Sequence, residues 1–233
     1  MINDKLIEKI IIVDYGSQFT QLIARKIREY GVYSEIINFS KIKNLEKSNN
    51  KKGVILSGGP LTITKKNSAA LDNYILNLNI PILGICYGHQ ILAKRFGGKI
   101  KISKIREFGH ATVKNKSKSS ITKNFFKKNN ASVWMSHQDI VHKIPYGFKN
   151  IASSSSSKFA IIANERKKYY GIQFHPEVSH TQNGKILIKN FLFDICKIKR
   201  TWNLKKQKKK LIFDIRNKVK KEKVICALSG GVD

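Results

Sequence analysis

The apolar positions of the chain fall into short segments of two alternating kinds. Lys9 to Tyr15 is a run rich in β-branched residues, closed by Gly16, and it reads as a strand. Ser17 can cap a following helix in which Phe19, Leu22, Ile23 and Ile27 recur at helical spacing, and Gly31 sits where that helix should end. Tyr33 to Ile37 reads as a second strand and Gly53 to Leu56 as a third, the latter ending in the sharp turn Ser57-Gly58-Gly59-Pro60. Ser68 to Leu78 predicts a helix. Ile80 to Ile85 predicts a buried strand, broken by Cys86-Tyr87-Gly88 and followed by a helix from about His89 to Phe96. Strands alternating with helices through short connections predict an α/β fold: a central, largely parallel sheet covered by helices.

The second half is patterned differently. Lys99 to Ile172 is more strand-rich and polar, with Ser153 to Ser157 as a loop or strand end. Thr181 to Cys196 predicts a helix whose apolar face carries Ile186, Leu187, Ile188, Phe191 and Leu192. Lys205 to Lys223 is strongly basic, yet Leu211, Ile212, Ile215 and Val219 keep helical spacing, as in an amphipathic linker helix. Val224 to Leu228 then reads as a fresh buried strand feeding Ser229-Gly230-Gly231-Val232-Asp233, a glycine turn that should open a helix. The expected organisation is a first domain over residues 1–200, a basic linker helix over 201–223, and the first strand of a second α/β domain over 224–233.

Composition changes this picture little. The chain has 233 residues, long enough for a real core, with 45 Lys+Arg against 15 Asp+Glu and a net charge of +30. Such a charge prompts a nucleic-acid reading. Only seven of the basic residues are arginines, however, and the guanidinium fork is what reads phosphates and bases bidentately. The lysine excess travels with many Ile and Asn, as drift toward A/T-rich codons would produce, so nucleic acid is not the expected partner despite the charge. The longest aliphatic run, Ile10 to Val13, is too short to span a bilayer, and no signal-peptide pattern opens the chain. Three scattered cysteines are too few for a disulfide framework, so a reduced, cytoplasmic location with no membrane partner is expected.

The chemistry concentrates at Gly84-Ile85-Cys86-Tyr87-Gly88. A nucleophile on a tight strand-to-helix turn needs small neighbours two residues away on either side, because the backbone folds back there. Such a turn lifts the thiol above the sheet, at a helix N-terminus whose dipole favours the thiolate. On this pentapeptide alone, an inert buried cysteine is an equally good reading. A nucleophile also needs a base. Among six histidines, His175 follows a strand-like segment in Gln173-Phe174-His175-Pro176-Glu177, where Glu177 can hold one ring nitrogen and leave the other for the thiol. The Ser57–Pro60 turn should lie at the same strand edge. There a glycine N–H of the turn would complete an oxyanion hole with that of Tyr87.

Together, Gly-Ile-Cys-Tyr-Gly-His-Gln, Ser-Gly-Gly-Pro and His-Pro-Glu resemble the class I, triad-type glutamine amidotransferases. Further segments resemble the GMP synthase family within them: Val13 to Gln18, Arg106-Glu107-Phe108-Gly109, Trp134 to Asp139, Gly171 to Val178 and the terminal Leu228 to Asp233. The resemblance implies a flavodoxin-like fold, with Cys86 as nucleophile, His175 as general base and acid, Glu177 as its orienting partner, and Gly59 and Tyr87 as the oxyanion N–H donors. It implies that Gln90, Ser136, His137 and Gln138 contact the amino-acid end of glutamine, and that the glutaminase needs no cofactor. It further implies that Ser229, Gly230, Gly231, Val232 and Asp233 begin a pyrophosphate-binding loop of an ATP- and Mg2+-using synthetase domain. That domain would aminate XMP to GMP; only its first strand and part of its loop are in this chain, the rest being absent, and the full-length enzyme would be a homodimer. The alternatives are the glutaminase component of another synthase and a truncated gene product without full synthase activity.

Overall fold

The computed structural model of the protein describes residues 7–45, 49–60, 62–63 and 70–225. These divide into two compact units, 1–201 and 202–233. In the first unit, nine strands form one sheet: β1 (Lys9–Asp14), β2 (Tyr33–Asn38), β3 (Lys51–Leu56), β4 (Ile82–Ile85), β5 (Lys99–Asn115), β6 (Asn130–Lys143), β7 (Lys149–Ser153), β8 (Ile161–Asn164) and β9 (Tyr169–Ile172). Their order across the sheet is β2-β1-β3-β4-β9-β8-β7-β5-β6. Pairing is parallel from β2 through β9 in that order and antiparallel from β9 to β6. The expected largely parallel sheet is therefore the nucleus of the domain, extended by an antiparallel half.

The helices are α1 (Thr20–Glu29), α2 (Asn73–Asn77), α3 (Tyr87–Arg95) and α4 (Gly184–Lys189), which runs into a π-helical turn over Asn190–Ile195. Strand alternation assigns each face its helices. Ile10 and Ile12 of β1 join a cluster with Ile23 and Ile27 of α1, Leu187 and Ile188 of α4, and Phe191 and Leu192 of the π-turn. Ile11 and Val13 face the other way, into a cluster with Ile75 of α2 and Ile91 and Leu92 of α3. A strand buried on both faces must be apolar at every position, which is why Ile10 to Val13 are all fully buried. Each such aliphatic side chain contributes roughly 1.5–3 kcal/mol of burial.

Several boundaries differ from the sequence reading, each for a local reason. Ser17 does not cap α1: its Oγ accepts the N–H of Phe19 in a tight turn, and the helix begins at Thr20. Thr20 Oγ1 instead donates to Asp14 Oδ1 at 2.7 Å, tying the helix start to the end of β1. The helix expected over 68–78 is limited to Asn73–Asn77, because Asp72 caps it by accepting the Tyr74 N–H; residues 64–69 lie outside the described set. The helix expected from Thr181 starts at Gly184, since Thr181 is held by its own hydroxyl to the His175 carbonyl.

In the second unit, α5 (Leu204–Val219) is the expected basic helix, with Leu211, Ile212, Phe213 and Ile215 exposed. Val224 and Ile225 are not the start of a buried strand: they are exposed and unpaired in any sheet of the described residues. Backbone polar groups of a strand need a neighbouring strand to satisfy them. Residues 226–233, including the whole Ser229–Asp233 loop, lie outside the described residues. No helix among the described residues is long and apolar enough to cross a membrane.

The sheet and the helical segment that follows α4 meet at Gly53, where an added Cβ would lie 2.5 Å from Cys196 Sγ, 3.2 Å from Ile10 Cδ1 and 3.3 Å from Phe191 Cζ. Gly53→Ala is expected to destabilise the domain by about 1–3 kcal/mol through overpacking. Combining it with Cys196→Ala, which vacates the clashing sulfur, should give a loss smaller than the sum of the two single changes in urea unfolding.

Candidate active site

The carboxyl ends of β1, β3, β4 and β9 converge on one edge of the sheet, and three loops leaving that edge carry the predicted chemistry. After β4 the chain turns sharply at Cys86, whose φ of 52° and ψ of −106° are costly for a residue with a Cβ. Backbone bonds hold this elbow from both sides. Cys86 N–H donates to Ile172 O of β9 at 2.7 Å, and Gly88 N–H donates to Ser57 O at 3.0 Å. The flanking glycines are required sterically. A Cβ on Gly84 would run into the Gly88 carbonyl, and one on Gly88 into the Leu56 carbonyl. The sequence reading of small neighbours two positions either side thus has a concrete cause: α3 folds directly back over β3 and β4.

His175 stands three residues beyond the end of β9, the strand that pairs with β4. Its N–H donates to Trp134 O of β6 at 3.0 Å, and its carbonyl accepts from Thr181 Oγ1 at 2.6 Å. The ring Nδ1 lies 2.7 Å from Glu177 Oε1, and both side chains are buried. Phe19 packs edge-on against the ring at 4.9 Å between centroids. The Cys86 side chain is near enough to act on this imidazole and favour its protonated form. The His175–Glu177 pair and the Cys86 side chain therefore share one corner of the fold. Burial alone would lower the His175 pKa, but the Glu177 carboxylate and then the neighbouring Cys86 side chain outweigh it and push it up to about 10.

The turn after β3 closes the site. A Cβ on Gly58 would lie 3.4 Å from His175 Cε1, and one on Gly59 would lie 2.9 Å from Tyr15 O and 3.2 Å from Tyr87 Cδ1. Glycine keeps this backbone close to both Cys86 and His175. A cavity of about 260 Å³ opens beside the sulfur, and Gly59, Cys86, Tyr87, Gln90, Ser136, His137 and Gln138 all line it. The structure thus gathers every predicted pocket residue around Cys86. Gln90 is tied down: its Nε2 donates to Asp139 O at 2.7 Å.

One neighbour of the nucleophile was not singled out by the sequence. Gln173 is fully buried, accepts from Gln90 Nε2 at 3.4 Å and approaches Cys86 Sγ with its Nε2 at 4.0 Å. Its signal was its place in Gln-Phe-His-Pro-Glu, where the histidine took the attention. His89, next to the elbow, has no part in this set. Burial first, and the charge of His137 second, push its pKa down to about 3, so it stays neutral. Its ring fills the space over Gly171, where a Cβ would collide with Nδ1.

A larger cavity of about 840 Å³ opens at the opposite, amino edge of β3, β4 and β9, lined by Lys51, Lys52, Lys168, Lys197 and Cys196. It is not the catalytic site. Burial pushes the Cys196 thiol up, which keeps it protonated, and no histidine is in its lining. Among the described residues, no group of three or more His, Cys, Asp and Glu could hold a metal ion.

Because the folded-state pKa of His175 lies above its ordinary value of 6.5, the protonated ring stabilises the fold in full below about pH 6.5. That contribution is lost as the pH rises through about 10. Glu177→Gln should bring the His175 pKa down toward its ordinary value in an NMR titration of the ring protons. It should also flatten the decline of unfolding free energy across this alkaline window.

The comparisons with known proteins agree with this geometry. The family model for glutamine amidotransferase class-I matches residues 11–195. A Treponema denticola protein named GMP synthase [glutamine-hydrolyzing] is 46% identical over 229 residues, covering 98% of this chain and 43% of the relative. A Clostridium tetani protein of the same name is 45% identical over 226 residues, covering 97% of this chain and 44% of the relative. The chain thus spans less than half the length of these curated relatives. Among solved structures, a Thermoplasma acidophilum protein, described provisionally as one subunit of GMP synthase, is 33% identical with a TM-score of 0.72, covering 82% of this chain and 94% of that one. A Thermotoga maritima glutamine amidotransferase, 21% identical at a TM-score of 0.62, shares the fold. With a sharply turned cysteine, a buried imidazole–carboxylate pair beside it and a family model spanning most of its length, the chain belongs to the class I glutamine amidotransferase family.

Proposed function

We propose that this chain hydrolyses the side-chain amide of glutamine and delivers the ammonia to the amination of XMP, as part of a GMP synthase. The observation that carries the reading is the buried His175–Glu177 pair beside Cys86, which itself lines a cavity of amino-acid size. The relatives' name supports the acceptor reaction. The likeness to a Thermoplasma protein described provisionally as one subunit of GMP synthase supports the glutaminase reading.

The chemistry follows from the parts. The Cys86 thiolate attacks the γ-carbonyl carbon of glutamine, and the carbonyl π electrons move to oxygen. The N–H groups of Gly59 and Tyr87 receive that oxyanion, on backbone segments held against the nucleophile. The protonated His175 gives its proton to the departing nitrogen, so ammonia leaves and a γ-glutamyl thioester remains. Neutral His175 then takes a proton from water, the hydroxide adds to the thioester carbonyl, and the thiolate departs with glutamate as product. Glu177 keeps Nδ1 occupied throughout, so that the other ring nitrogen always faces the sulfur. Gln90, Ser136, His137 and Gln138 hold the amino-acid end of the substrate. The Ser229–Asp233 loop begins the anion cradle of an ATP- and Mg2+-using synthetase region, whose full-length form is a homodimer. The setting is the reducing cytoplasm, consistent with free Cys86 and Cys196.

Purified chain should release ammonia from glutamine, and Cys86→Ala or His175→Ala should lower that rate by about a thousandfold or more. Because a glutaminase can idle without its acceptor domain, covalent labelling of Cys86 by 6-diazo-5-oxo-L-norleucine, a glutamine-like electrophile, is the companion measurement. Adding a separately expressed ATP pyrophosphatase region should yield GMP from XMP, ATP and glutamine. Failure of wild-type Cys86 to be labelled, while iodoacetamide still alkylates it, would refute the glutamine reading.

A further inference from the structure

Glu107 belongs to the Arg106-Glu107-Phe108-Gly109 segment, to which the chemistry above gives no role. It stands directly opposite His137 in the β5–β6 pairing, and it is the first paired residue after a break in that register between Ile102 and Glu107. Register breaks of this kind re-aim side chains. Here the result is a second carboxylate–imidazole pair: Glu107 Oε2 lies 3.1 Å from His137 Nε2, with the side chains only 13% and 2% exposed. Ser154, from the loop after β7, reaches Glu107 Oε1 with its hydroxyl at 3.4 Å. Burial pushes the Glu107 carboxyl up, but the hydrogen bonds from His137, Ser156 and Ser154 outweigh it and hold it below the usual carboxylate range. The carboxylate is therefore ionised and fixed from two sides.

What it holds matters to the site. His137 sits in β6 between two residues whose backbone touches the catalytic set. The Ser136 carbonyl accepts from Cys86 Sγ at 3.5 Å, and the Asp139 carbonyl accepts from Gln90 Nε2 at 2.7 Å. Ser136, His137 and Gln138 form one wall of the cavity beside the sulfur. A buried imidazole that lost the carboxylate 3.1 Å from its Nε2 would turn or shift toward another polar partner, and the β6 backbone would move with it. A displacement of about 1 Å at such a wall can cost about a hundredfold in reaction rate.

We propose that Glu107 is a positioning residue of this amidotransferase site: by holding the His137 imidazole it fixes the Ser136–Asp139 wall against which glutamine is seated. The proposal rests on the glutaminase reading above. It assigns the Arg-Glu-Phe-Gly segment to substrate geometry rather than to chemistry, because Glu107 touches neither the sulfur nor the catalytic imidazole.

The test separates glutamine recognition from thiol reactivity and from folding. Labelling of Cys86 is followed by mass spectrometry with two probes: 6-diazo-5-oxo-L-norleucine, which must fit the pocket, and iodoacetamide, which need not. Glu107→Ala should raise the half-saturating concentration of the glutamine mimic about tenfold or more, with the iodoacetamide rate and the melting temperature little changed. Glu107→Gln still offers an oxygen to Nε2–H and should restore most of the loss. Ser154→Ala, a milder change from the other side, should give a smaller rise in the same direction. Unchanged saturation in Glu107→Ala overturns the proposal. So does a parallel loss of both labelling rates together with the melting temperature, which marks a purely structural pair, and so does failure of Gln to restore. If the Ala variant does not fold, the Gln and Ser154 variants decide it: saturation in Ser154→Ala equal to wild type overturns it. A wild-type chain that reacts with iodoacetamide but not with the glutamine mimic strikes the glutaminase reading itself, and the proposal with it.

Discussion

The site depends on the parallel pairing of β4 with β9. Ile82 to Ile85 run beside Tyr169 to Ile172 in strict register, so both strands end at the same level of the sheet. The chain that leaves β4 carries Cys86 at once, and the chain that leaves β9 carries His175 three residues later. The bond from Cys86 N–H to Ile172 O continues the ladder by one rung into the elbow itself. Two residues far apart in sequence are thereby brought to the same corner of the sheet by ordinary strand pairing, with no special loop needed. Slipping either strand by a single residue would turn its side chains to the opposite face and separate the pair.

That edge also stores strain. A non-glycine residue at the Cys86 conformation costs on the order of 1–3 kcal/mol. The cost is sustained because the surroundings leave no alternative. Ile82, Leu83 and Ile85 are fully buried, and the glycines at 84 and 88 let α3 press onto β3 and β4 without a gap. The same logic recurs behind the base, where a Cβ on Gly184 at the start of α4 would run into the Pro176 carbonyl. Glycine at these positions is a packing requirement on the catalytic turns, not a source of freedom. The rigid sheet absorbs the strain, and the reacting side chains emerge in fixed directions.

Electrostatically, the site is built from pairs rather than single charges. Taking an imidazolium out of water is costly, and Glu177 at 2.7 Å offsets that cost for His175. His89, buried without a carboxylate beside it, stays neutral instead. Two histidines of one small domain thus sit in opposite protonation states because one has an acidic partner and the other does not. The net charge of +30 plays no part in this contrast, since it is carried mostly by solvated lysines outside the cavity.

Much of this was legible in the residues. The apolar runs at Lys9–Tyr15 and Ile80–Ile85 announce strands buried on both faces, and Gly-x-Cys-x-Gly announces an elbow, because steric demands two residues away leave a local mark in sequence. His175 and Glu177 were legible for the same reason: a base and its orienting carboxylate lie within one turn of each other. Helix starts were misplaced where a side-chain hydrogen bond, such as Asp72 to the Tyr74 N–H, decided between neighbouring candidates. The contact of Gln173 with the sulfur and the pairing of Glu107 with His137 were not legible at all. Local sequence encodes backbone shape and burial through short-range sterics and periodicity. Which distant side chains meet is set by strand register across the sheet, and register is decided only when both faces of that sheet are packed.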